Sequence, residues 1–83
     1  MKNNTIITAD DHPLLLKGLN DLLIERGYNI IGSAKDGREA YALITKENPD
    51  IAILDIQMPF LSGIEIAQKC KTNCLSTKII LIT

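Results

Sequence analysis

Ile51-Ala52-Ile53-Leu54-Asp55-Ile56-Gln57-Met58-Pro59 is an apolar run that ends on one acid and then turns at a proline. Its leading residues, Ile51 to Leu54, show no polar alternation, the pattern of a strand covered on both faces, as in a parallel sheet. Asp55 then stands at the strand's C-terminal end, which in open α/β sheets faces a ligand crevice rather than the core. A second apolar run, Ile6-Ile7-Thr8-Ala9, closes on Asp10-Asp11. With the two strands as neighbours, three carboxylates converge on one point. Such a cluster repels itself unless a hard cation is seated among the acids, and Mg²⁺ is the cation this chemistry favours.

Outward from that run the chain alternates strand and helix. Thr5–Ala9 reads as the first strand, and Asp10-Asp11-His12-Pro13 turns the chain into a helix with proline at or near its first position and Asp10 or Asp11 available as its cap. Leu15, Leu19, Leu22 and Leu23 follow helical spacing with Leu16 beside them, and Gly27 ends the helix as a left-handed cap. Tyr28–Ser33 is the second strand. Asp36-Gly37-Arg38-Glu39 opens the second helix with capping-box spacing, Ala40, Leu43 and Ile44 form its buried stripe, and Asn48-Pro49 stops it. Ser62-Gly63-Ile64-Glu65 repeats the box at the third helix, whose inner face is Ile66, Ala67 and Cys70, and Lys78–Thr83 is the fourth strand. Parallel strands joined by short right-handed crossovers predict a doubly wound α/β sheet, in a single domain over residues 1–83.

Composition narrows the function classes. The chain is 46% hydrophobic and 23% charged, ordinary for a globular domain and unlike a disordered tail. Nine Lys and Arg stand against ten acids, for a net charge of −1, so no basic field draws these residues to nucleic acid or a membrane surface. The apolar runs fall short of the roughly 18 residues of a spanning helix, and Met1-Lys2-Asn3-Asn4 leads into no signal-peptide core, which places the chain in the cytoplasm. Cys70 and Cys74 lie four apart, and with His12 the sole histidine they cannot complete a four-ligand zinc site, so they read as reduced structural thiols.

The residues at the strand ends support one chemistry together. Asp10, Asp11 and Asp55 supply oxygen ligands, and the backbone carbonyl of Gln57 adds another where the chain bends ahead of Pro59. Asp55 is placed to attack a phosphorus atom and form an aspartyl phosphate, with the cation neutralising the phosphoryl oxygens and Thr83 donating its hydroxyl to one of them. Each residue also has a plainer role. Asp10-Asp11 serves as a helix cap, Asp55 as a loop acid and Thr83 as a β-former, and His12, whose imidazole is able to ligate metal, reads beside Pro13 as a surface or capping residue. Their joint placement at strand ends carries the functional reading.

At these residues the sequence resembles the receiver domain of bacterial two-component response regulators. The resemblance lies in A-D-D-H-P, the D-G-x-E-A run from Asp36 to Ala40, P-D-I-A-I-L-D-I-Q-M-P from Pro49 to Pro59, L-S-G-I-E after it, and a strand ending at Thr83. It implies the flavodoxin-like, CheY-like fold with strand order 2-1-3-4 over the elements present, without the fourth helix, fifth strand and fifth helix. It implies Asp55 as phosphoacceptor, Asp11 as a direct Mg²⁺ ligand, Asp10 acting directly or through water, Gln57 contributing its carbonyl and Thr83 as the switch hydroxyl. The family's lysine, at the end of a fifth strand, has no match, since Lys78 lies at the wrong end of its strand. The D-D-H-P-L opening is most similar to receivers that precede a LuxR-type DNA-binding output domain. The implied partners are a sensor histidine kinase and that output domain.

Three functions follow as expectations. The first is a phosphoaccepting signalling switch, which assists its own phosphotransfer without being an enzyme in the ordinary sense. The second is a Mg²⁺-dependent phosphatase with Asp55 as nucleophile, although such enzymes carry a second acid where this chain has Gln57. The third is a non-phosphorylatable interaction module that pairs with other receivers. With strand four at the sheet edge, the 83-residue chain is expected to self-associate there.

Overall fold

The computed structural model describes residues 4–73 and 75–83. Its elements run β1 (Thr5–Ala9), α1 (Pro13–Glu25), β2 (Asn29–Ala34), α2 (Gly37–Glu47), β3 (Ile51–Asp55), α3 (Gly63–Thr72) and β4 (Lys78–Ile82). All strand pairings are parallel, and the sheet order is β2-β1-β3-β4. β1 and β3 are neighbours, with Ala9 opposite Leu54, so both strands end at the same level. This register brings Asp10 and Asp55 together at the C-terminal end of the two central strands.

β3 is covered on both faces, as its unbroken apolar run requires. Ala52 and Leu54 join a core with Ile7, Ala9, Ala34, Ala40, Ile44, Ile66 and Cys70, contributed by α2, α3 and the strands between them. Ile53 points the other way, level with Thr8, whose hydroxyl bonds to Asn20 of α1. Burying one aliphatic side chain of this kind contributes about 1.5–3 kcal/mol. Cys70 sits inside the core, where burial pushes its thiol pKa above the ordinary value and keeps it protonated. Cys74 lies outside the described residues.

α1 packs differently from its leucine spacing. Leu16 is buried and Leu19 and Leu23 are half-buried, whereas Leu15 and Leu22, expected on the inner stripe, are 62% and 49% exposed. The reason is a polar contact under the helix. Thr8 Oγ1 donates to Asn20 Oδ1 at 2.6 Å, Asn20 Nδ2 donates to Ser33 Oγ at 2.8 Å, and the two hydroxyls stand 2.9 Å apart. This triangle turns Asn20 toward the sheet, and the residues at i−4, i−1 and i+3 follow it.

Helix ends follow local chemistry with two differences. His12, not an aspartate, occupies the N-cap of α1, and it makes no side-chain cap bond. At α2, Asp36 Oδ1 accepts from Glu39 N–H at 2.8 Å, but Glu39 Oε1 accepts from Lys35 N–H instead of closing the box on Asp36. The box at α3 is complete, Ser62 and Glu65 each accepting the other's N–H. β2 begins one residue later than the sequence suggests, and a bulge between Ile6 and Ile7 shifts its register against β1. Gly27 follows α1 at φ +90°, and Asn48 closes α2 at φ +48°. β4 forms an edge of the sheet, with Ile80 and Leu81 partly exposed.

Candidate functional site

The strand ends of β1 and β3 bring four polar side chains together. One ligand atom each from Asp10, Asp11, His12 and Asp55 lies within 4.8 Å of the others. Asp10 and Asp55 are buried at 5% and 7% exposure, while Asp11 and His12 face the opening. The main geometric expectation therefore holds: acids from two strands share one pocket. The donor set is three carboxylates with one imidazole nitrogen, and hard oxygen donors at this spacing suit a divalent cation. With only His12 to offset them, the acids carry the net negative charge that such an ion neutralises.

Asp10 is oriented by the residue that follows Asp11. Its Oδ1 accepts from the His12 N–H at 2.9 Å, and His12 Nδ1 stands 2.9 Å from the same oxygen and 3.0 Å from Asp11 Oδ1. The bond to Asp10, and next the charge of Asp11, raise the His12 pKa above its ordinary value of 6.5. The sequence reads His12 as a surface or capping residue. The ring is largely exposed, but its nitrogen belongs to the cluster. The signal was adjacency itself, since a histidine next to two turn acids is within reach of both.

One glycine lets the backbone close around Asp55. A Cβ on Gly63 would stand 2.7 Å from the Asp55 carbonyl oxygen, so α3 starts directly against the end of β3. Ile56 N–H donates to Ile82 O, and Gly63 N–H donates to Ile56 O, both at 2.9 Å. Gln57 N–H donates to Asp55 Oδ1 at 3.3 Å, which turns the carboxylate toward the loop. A cavity of about 200 Å³ opens between Asp55, Ile56, Gln57 and Thr83. Thr83 is thus beside Asp55, on the side away from Asp11. A second cleft of about 480 Å³ is lined by Asp11, Ile56, Gln57, Met58, Pro59, Ser62 and Ile64, so Gln57 borders both.

The rest of the β3–α3 connection holds a conformation that composition alone does not announce. Leu61 N–H donates to Pro59 O at 2.9 Å across Phe60, whose φ is +72°. A positive φ is rare for a residue this bulky, and holding it costs on the order of 1–3 kcal/mol. Pro59 O also accepts from Gly37 N–H at 3.0 Å, at the first turn of α2. Gly37 meets the loop so closely that a Cβ would stand 1.8 Å from Leu61 O. Arg38 lies over the Phe60 ring, 4.1 Å from its centroid. Sequence reasoning passed over Phe60 and Arg38 because neither is a turn-forming residue.

Comparison with known proteins assigns the family. Residues 6–83 match the response regulator receiver domain family. The chain is 41% identical over 80 residues to the transcriptional regulatory protein YvfU of Bacillus subtilis, covering 94% of this chain and 40% of that protein. It is 31% identical over 80 residues to the nitrate/nitrite response regulator NarL of Escherichia coli, covering 95% and 37%. Among solved structures it superposes on a LuxR-family DNA-binding response regulator from Staphylococcus aureus with a TM-score of 0.91 and 30% identity, over 94% of this chain and 66% of that one. The chain thus spans about two fifths of the length of these curated relatives. With parallel strands in the order 2-1-3-4 and acids gathered where β1 and β3 end, the chain belongs to the receiver domain family of two-component response regulators, and its relatives include transcriptional regulators of the LuxR type.

Proposed function

We propose that this chain is a phosphoaccepting switch in which Asp55 takes a phosphoryl group from a sensor histidine kinase and passes the change to an output, a transcription-regulating DNA-binding domain in the full protein. The observation that carries this reading is the meeting of Asp10, Asp11 and Asp55 within one pocket, with a cavity of about 200 Å³ beside Asp55. Asp55 Oδ attacks phosphorus. The bond from phosphorus to the donor's nitrogen or oxygen breaks, and the donor leaves with the electron pair and takes up a proton. Mg²⁺ held by Asp11, Asp55 and the Gln57 carbonyl, with Asp10 direct or through water, would supply charge neutralisation at the phosphoryl oxygens. Gln57 N–H steadies the carboxylate, and Thr83 closes its hydroxyl on a phosphoryl oxygen. The chain is an acceptor that assists this transfer, not a turnover enzyme, and Gln57 in place of a second acid supports that choice.

The proposed setting is the cytoplasm. Among the described residues no helix is long and apolar enough to cross a membrane. The edge strand β4 is the proposed surface for self-association of the 83-residue chain, checked by sedimentation, where a monodisperse monomer refutes it.

The test is treatment with an acyl phosphate or phosphoramidate donor, with and without Mg²⁺, followed by intact mass. A stable, Mg²⁺-dependent adduct that Asp55→Asn abolishes supports the switch. Rapid phosphate release without accumulation supports a phosphatase instead, and absence of reaction supports a non-phosphorylatable interaction module.

A further inference from the structure

Two non-glycine residues among those described hold a positive φ, Asn48 and Phe60. Asn48 closes a helix, a role that asparagine fills readily. Phe60 has no such role: the residue is 65% exposed, so burial does not hold it. What surrounds it comes from α2. Gly37 N–H bonds Pro59 O, the Gly37 backbone lies against Leu61 O, and the Arg38 guanidinium covers the Phe60 ring.

We propose that Arg38 is a positioning residue for the acidic site: by covering Phe60 it keeps the Pro59–Leu61 turn closed, and the closed turn sets where the Gln57 carbonyl stands relative to Asp55 and Asp11. The route is short. Only Met58 and Pro59 separate Gln57 from Phe60, and Pro59 has its φ fixed by its ring, so little torsional freedom lies between them. The near end of the loop cannot absorb a shift of the turn, because Ile56 is tied to Ile82 and Gly63. α2 thereby braces the site without contributing a ligand. This inference rests on the reading of the cluster as a Mg²⁺ site.

A double-mutant cycle tests it. Asparagine enters the left-handed region without the penalty phenylalanine carries, so a Phe60→Asn chain holds the turn with no cover over it. Mg²⁺ affinity is measured calorimetrically for the parent chain, Arg38→Ala, Phe60→Asn and the double variant. Arg38→Ala is expected to weaken Mg²⁺ binding about twofold to fivefold in the parent, the most an exposed cation–π contact supplies, and by no measurable amount in the Phe60→Asn chain. Arg38→Lys, which keeps a cation over the ring, recovers most of the affinity. Equal losses in both backgrounds, or none in either, overturn the proposal. If the parent chain binds no Mg²⁺, it is the metal reading that fails, and the brace is then judged by hydrogen exchange at Leu61 N–H. Faster exchange in Arg38→Ala that Phe60→Asn suppresses supports the brace, and unchanged exchange overturns it.

Discussion

Between β1 and α1 the chain passes in three residues, Asp10 to His12, whose side chains bond chiefly to one another. Between β3 and α3 it takes seven, Ile56 to Ser62, and the supports of that longer path come from β4 and from α2. Both connections deliver groups to the same pocket. The short one encodes its geometry in adjacent residues, because an Asx-type bond from Asp10 to His12 N–H needs no distant partner. The long one borrows its geometry, and its shape depends on packing between parts of the chain more than twenty residues apart, such as Gly37 and Pro59.

That contrast breaks most visibly at the borrowed support. Gly37→Ala drives a Cβ into the Leu61 carbonyl, and overpacking against backbone predicts a loss of about 2–3 kcal/mol. In a domain of this size that lowers the melting temperature by roughly 10–20 °C, which a thermal melt reads directly. Substitutions confined to Asp10–His12 are expected to leave the melt nearly unchanged while altering metal binding.

Ser62→Ala removes one arm of the complete capping box at the far end of the same loop. Denaturant unfolding should show a loss of about 1 kcal/mol. A loss near zero would mean that the start of α3 is held by Gly63 packing alone.

The smallest effect belongs to the short connection. His12 has a raised pKa in the fold, so its contribution to stability is fully present below the ordinary value of 6.5 and is lost as pH rises through the folded value. Being exposed, it contributes little, and the change should be a shallow decline in metal-free stability with rising pH that His12→Ala removes. On the proposed Mg²⁺ reading the ion and the imidazolium compete for Asp10 and Asp11, so affinity for the ion should rise across the same pH range. A calorimetric titration at two pH values checks the sign.

Much of the site was legible from residue order. Asp55 follows an unbroken apolar run, Asp10-Asp11 follows another, and parallel neighbours of equal length end level, so the meeting of the acids needed only the sheet. The caps at Asp36 and Ser62 were equally readable, since their partners lie three residues away. His12 reads from the sequence as a surface or capping residue before a metal ligand, and its contacts to the two acids directly before it bring its ring into the cluster.

By itself the sequence determined the alternation of strands and helices, the strand-end placement of Asp10, Asp11 and Asp55, and the caps, because each depends on periodicity or on neighbours within about four residues. Only the tertiary structure decided which leucines of α1 face the sheet, since that angle is set by Thr8, Asn20 and Ser33 on three separate elements. It also decided the turn at Phe60. A positive φ at a phenylalanine persists only where surroundings impose it, and here those surroundings are Gly37 and Arg38, brought from α2 by the packing of the sheet.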